Sequence, residues 1–117
     1  MSQCFYFTRS MNKIKKIDLL ELYSIKVENG LVTFNLKESK IISTETLGSI
    51  SDKLPDYFFK INRNILVNDF KINEVDFKKR VMILDNMEKY SVSTRRISTL
   101  KSQLNGLINH SQSNFIP

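Results

Sequence analysis

The chain has 117 residues, with 18 Lys or Arg against 12 Asp or Glu, a net charge of +6. That length is one domain with a core of its own, and 41% hydrophobic with 26% charged residues argues against wholesale disorder. A lone cysteine, Cys4, excludes an internal disulfide; with one histidine, His110, it cannot complete a zinc site, and no apolar run approaches the roughly 18–20 residues of a membrane span.

The start, MSQCFYFTRSMNKIKK, has no h-region and no small-residue cleavage site, so a signal peptide is not expected and the default compartment is the cytoplasm. CFYFT, residues 4–8, reads as an aromatic strand. Ile14 and Ile17 lie in a Lys-rich stretch, and Leu19–Ile25 is an apolar run broken by Glu21 and Ser24. Glu28-Asn29-Gly30 is a hairpin signal, because Asn and Gly tolerate the positive φ of a tight turn. Val32, Phe34 and Leu36 then alternate with Thr33, Asn35 and Lys37, the mark of a half-buried strand, and KIIST (40–44) continues it. A short helix is predicted over Glu45–Leu54: Leu47, Ile50 and Leu54 share a face, Thr44 can cap it, and Pro55 stops it. Further strands are predicted around Glu74–Phe77, Val81–Leu84 and Glu88–Ser93, with Tyr90 and Val92 on one face. A second helix is predicted over Arg95–Leu107, with Ile97, Leu100, Leu104 and Leu107 as its stripe and Ser93 or Thr94 as its cap. The segment 109–117, NHSQSNFIP, reads as a flexible polar tail, which leaves residues 1–108 as the domain.

The charge is uneven. Residues 57–117 hold ten basic and five acidic residues, and from Lys89 onward there is no acid at all. An anion-facing side built by the second half is one reading of this bias; a basic surface with no partner is the other. Arg95 and Arg96 fall in the predicted first turn of the second helix, where the dipole is positive and a cation costs about 0.3–1 kcal/mol. Free backbone N–H groups and guanidinium groups converging there suit a phosphate. Alternatively the helix begins later and both arginines end a strand.

The stretch DYFFKINRNILVN, residues 56–68, sets Lys60, Asn62, Arg63 and Asn64 between apolar anchors. Arg reads guanine and Asn reads adenine with paired hydrogen bonds, so an Asn-Arg-Asn tip suits base edges or phosphates. It equally suits a turn whose amides satisfy local backbone groups.

FFKINRNILVN, followed about 25 residues later by YSVSTRRISTLKSQL, resembles the LytTR family of bacterial DNA-binding domains, and IDLLELYSI and TLGSISDKLP resemble its earlier segments. The resemblance covers roughly residues 5–105. It implies a mainly β fold, an elongated stack of small antiparallel sheets with one short helix mid-chain and a short C-terminal helix. It implies sequence-specific binding of double-stranded DNA by loops entering the major groove, in a transcriptional regulator or the output domain of a two-component response regulator. Mapped by motif, Asn62, Arg63, Asn64 and Arg95 would contact bases. Lys60, Arg96, Lys26, Asn29 and Lys101 would contact phosphates, with Lys79 and Arg80 as further candidates. The sequence departs from the family where Lys60 replaces the common Arg, where Asn62 stands in a position often held by His, and where the first loop, Lys26–Gly30, lacks a histidine. The resemblance also implies two copies on repeated half-sites and, in many relatives, an upstream receiver domain that this chain lacks. No membrane partner, cofactor or metal is implied.

Two other functions compete. An RNA or single-strand module would stack bases on exposed aromatics, for which Tyr6, Tyr57 and Tyr90 are the candidates. A β-rich interaction or oligomerisation module would turn the Leu100, Leu104, Leu107 stripe outward and leave the charge incidental. Catalysis is not expected. Gly30, Gly48 and Gly106 are isolated, His110 lies in the polar segment, and Glu74/Asp76 and Asp85/Glu88 have the spacing of solvated faces and turns.

Overall fold

Short alternating runs of aromatic and β-branched residues become strands wherever Asn, Asp or Gly turns the chain between them. The computed structural model describes residues 3–115, with side chains through residue 106. Its strands are β1 (Phe5–Ser10), β2 (Lys13–Asp18), β3 (Leu22–Glu28), β4 (Leu31–Leu36), β5 (Lys40–Ser43), β6 (Phe58–Asn62), β7 (Ile65–Asn68), β8 (Ile72–Asp76), β9 (Val81–Leu84) and β10 (Lys89–Ser91). Helix α1 (Leu47–Lys53) follows β5, and α2 (Thr94–Phe115) follows β10.

The strands form three antiparallel sheets: the β1–β2 hairpin, a five-stranded sheet in the order β5-β4-β3-β7-β6, and a three-stranded sheet in the order β10-β9-β8. They stack along a molecule of 54 × 32 × 25 Å. The mainly β, elongated stack implied by the resemblance is the observed architecture.

Both faces of the five-stranded sheet are covered. On one, Leu22, Ile25, Phe34 and Leu66 pack with Tyr6 and Ile17 of the hairpin and Ile50 of α1. On the other, Tyr23, Ile65 and Val67 pack with Met82, Leu84 and Tyr90 of the third sheet and Leu100 of α2. A bulge between Leu22 and Ser24 in β3 helps one strand feed both cores. Leu100 is fully buried, so the stripe of α2 faces its own sheet at that position. The Leu107 side chain lies outside the described residues.

Helix α1 is shorter than expected. Thr46, not Thr44, caps it, its hydroxyl accepting from Ser49 N at 3.1 Å. Glu45 is drawn instead into a long-range cluster. Thr8 Oγ1 donates to Glu45 Oε1 at 2.7 Å, Tyr6 Oη donates at 3.0 Å, and Lys53 Nζ donates to Oε2 at 3.1 Å. Thr8 also shares a buried 2.6 Å hydrogen bond with Ser43. These bonds tie the hairpin to the end of β5. Burial alone would raise the Glu45 carboxyl, but the hydrogen bonds from Thr8, Lys53 and Tyr6 and the Lys53 charge hold it below its ordinary value.

Helix α2 passes the expected end at Leu107 and continues to Phe115. No proline intervenes, and Gly106 alone costs only about 1 kcal/mol relative to Ala. Tyr6 and Tyr90 are buried and Tyr57 is half-buried, so the first two are unavailable for base stacking; among the described residues the exposed aromatics are Phe5, Phe7 and Phe70.

A 3₁₀ turn at Asp69–Lys71 joins β7 to β8 and meets α2 through Asp69, whose Oδ2 accepts from Gln103 Nε2. Asp69 Oδ1 is buried without a partner. Burial pushes this carboxyl up to about 6, the Gln103 hydrogen bond lowering it and the nearby Asp56 charge raising it. In the folded chain it keeps its proton where an unfolded Asp has lost it. Its contribution to stability is full below pH 3.8, falls as pH rises to about 6, and is flat above. Asp69→Asn should therefore gain on the parent chain between pH 4 and pH 7, by about 1–2 kcal/mol after allowance for partial exposure, in urea melts at the two pH values. Glu45→Ala should cost about 1–3 kcal/mol by stranding the Thr8 and Tyr6 hydroxyls, and should speed hydrogen exchange at the Thr44 amide, which donates to Arg9 O.

Candidate nucleic-acid interface

Strand register brings distant segments to one end of the sheet. β3 rises to Glu28 and turns through Asn29 (φ +52°) and Gly30 (φ +77°) into β4, with Glu28 paired to Leu31. Two successive positive φ values are the turn that Asn-Gly favours. β6 rises to Asn62, turns through Arg63 and Asn64, and returns as β7, with Asn62 paired to Ile65. Lys26 of β3 pairs with Ile65 of β7, so both turns sit at the same end.

The β6–β7 turn is held from within. Asn62 Oδ1 accepts from Asn64 N at 2.8 Å, and Asn62 Nδ2 donates to Ser91 O at 2.8 Å. This side chain therefore braces the turn, with one N–H and one lone pair left over. Neighbouring backbones lock to it: Val27 N donates to Asn64 O and Ser93 N donates to Ile61 O, both at 2.9 Å. Val92 N donates to Arg80 O at 2.9 Å, which brings in the β8–β9 turn, where Arg80 takes φ +55°. A chain of backbone bonds thus crosses the whole end, from the β3–β4 turn to the start of α2.

Helix α2 begins at Thr94, and Ser93 Oγ accepts from Arg96 N at 3.3 Å. The two arginines are in the helix's first turn, not at a strand end. No acid lies in that turn. Lys60, Asn62, Arg63, Ser93, Arg95 and Arg96 line one open concavity of about 390 Å³. Arg63, Asn64 and Arg95 are exposed, and Lys60 and Arg96 are half-buried. Two motifs separated by about thirty residues in the chain therefore meet around a single cationic recess.

The remaining sequence-derived candidates are arranged around it. Asn29 is exposed at the β3–β4 turn. Lys26 is partly engaged, its Nζ 3.6 Å from Glu28 Oε2 and 5.7 Å from the centre of the Tyr90 ring. Lys101, on α2, lies over the Phe77 ring at 5.7 Å. Lys79 and Arg80 are exposed on the β8–β9 turn. The contribution of Ser93 to the recess was not anticipated; its place two residues before Arg95, as a helix cap, was the available signal.

The family model of the LytTr DNA-binding domain matches residues 12–105. The chain belongs to the LytTr family. It is thus a DNA-binding domain, of a family that is not enzymatic. A sensory transduction protein LytR from Staphylococcus epidermidis is 30% identical over 96 residues, which cover 79% of this chain and 38% of that protein. A LytTr DNA-binding domain from a Bacillus cereus response regulator has the same fold, with a TM-score of 0.74 at 18% identity over 88% of this chain and 98% of that one. Among the described residues, no helix is long and apolar enough to cross a membrane.

Within this LytTr domain, Asn62→Ala should cost about 1–2 kcal/mol in urea melts and should raise hydrogen exchange at the Asn64 amide more than at β4, because the brace is local.

Proposed function

We propose that this end of the domain reads double-stranded DNA in the major groove by its turns and the first turn of α2, not by a helix laid along the groove, as the DNA-binding part of a bacterial transcriptional regulator. The observation that carries this reading is the shared recess of Lys60, Arg63, Arg95 and Arg96. It combines exposed guanidinium forks, able to bond guanine O6 and N7, with half-buried cations and a helix N-terminus suited to phosphate. Arg63 and Arg95 read bases, Asn64 supplements them, and Asn62 presents Arg63 while keeping one N–H for a base. Lys60, Arg96, Lys26, Asn29 and Lys101 set the register on the backbone. The likeness to a sensory transduction protein, 38% of which is covered, favours a place in a longer regulator; the family resemblance adds an upstream receiver domain, a cytoplasmic location and binding as two copies on repeated half-sites.

The test uses a duplex enriched from a random pool by the purified chain. Arg63→Ala and Arg95→Ala should each cost about 1–3 kcal/mol on that duplex and little on a scrambled one. Lys60→Ala should weaken both duplexes alike and flatten the salt slope by about one unit. Equal losses on both duplexes for the arginine variants would overturn base reading.

A further inference from the structure

The family match begins at residue 12, so β1 and the first part of the turn after it lie outside the matched region. That turn joins strands with an unusual composition. From Arg9 to Lys16 the sequence is RSMNKIKK, four cations without a carboxylate. All four are exposed, and none is among the ion pairs of the described residues.

The hairpin is anchored, not loose. Thr8 bonds Ser43 and Glu45, and Thr44 N donates to Arg9 O at 2.9 Å. Ser43 pairs with Val32, close to the β3–β4 turn. The hairpin tip, Ser10–Lys13, therefore lies at the same end of the central sheet as the β3–β4 and β6–β7 turns. Strand alternation assigns its faces. Tyr6, Thr8 and Ile17 are buried on the inner face, and Lys15 and Lys13 extend that same face beyond the protein edge. With Ser10, Met11 and Asn12 they line a recess of about 320 Å³. Arg9 and Lys16 are on the outer face, where Lys16 Nζ sits 4.0 Å from the centre of the Phe5 ring.

We propose that the β1–β2 hairpin is a second grip on DNA, with Lys13 and Lys15 holding backbone phosphates that flank the segment read by the β6–β7 turn. The inference rests on the reading of that end as a duplex-binding surface. The ligand is the phosphodiester backbone because the cations that face the recess are lysines, point charges on flexible stems, and the one guanidinium of the cluster, Arg9, is on the outer face. Three strand spacings and the hairpin's own step separate the two turns, roughly 20 Å, or about six base pairs along a duplex lying across that end. The grip adds affinity and salt dependence without adding sequence preference.

The experiment compares the full chain with K13Q/K15Q on two duplexes. One is the duplex enriched from the random pool; the other is the same duplex trimmed to its central base pairs. On the longer duplex the variant should bind with a salt slope smaller by about two units, at roughly 0.9 for each lysine. On the trimmed duplex the two proteins should bind equally, and the preference over a scrambled duplex should not change. Both lysines are exposed, so thermal melts should coincide. An unchanged slope on the longer duplex, with Arg63→Ala still losing sequence preference, would overturn the hairpin grip and leave the reading end intact. Failure of the parent chain to bind any duplex would remove both.

Discussion

Burying both faces of one five-stranded sheet is the constraint from which the rest of this domain follows. Such a sheet needs a cover on each side, and this chain supplies two small ones, the hairpin with α1 and the third sheet with α2. Apolar packing alone would let these covers slide. Buried polar contacts fix them: Thr8 with Ser43 and Glu45 on one side, and Ser24 with Tyr90 and Asn35 on the other. A hydrogen bond in a dry interface is costly to leave unmade, so each contact admits one register. Because the strands are short and antiparallel, fixing the layers also fixes which turns share an end.

Several elements were legible in the residues themselves. Alternation in Val32, Phe34 and Leu36 marked β4, Asn29-Gly30 marked its turn, and the leucine stripe marked α2. The two motifs that meet in the cationic recess were legible as chemistry too, since arginines in a first helical turn stand out against local preference and an Asn-Arg-Asn tip carries groups that can bond base edges. Their meeting was not. It depends on bonds between segments about thirty residues apart, Ser93 N to Ile61 O and Asn62 Nδ2 to Ser91 O, whose partners local sequence does not reveal.

Other misreadings share one cause. Glu45 has the look of a helix-start acid, yet its partners Tyr6 and Thr8 lie 39 and 37 residues earlier. Tyr6 and Tyr90 look free to stack but are drawn inward, while Phe5 and Phe7 fall on the outer face of a two-stranded hairpin whose inner face is already committed. The Arg9–Lys16 cluster is visible in the residues as a Lys-rich stretch, but its lack of acidic partners is not: the acids of the first half lie elsewhere and, among the described residues, none is ion-paired with it. Tertiary pairing decides each of these, and local sequence does not encode it.

The β3–β4 and β6–β7 turns, at the end proposed to meet DNA, are two residues long and pinned by backbone bonds. Little chain freedom remains for a duplex to freeze out on contact, so encounter resembles the docking of rigid bodies. Arrival is then governed by long-range attraction between a cationic end and a polyanion, which is nearly the same for every duplex. On the proposed reading, discrimination among duplexes falls to residence time: a matched site is one the domain leaves slowly, not one it finds faster.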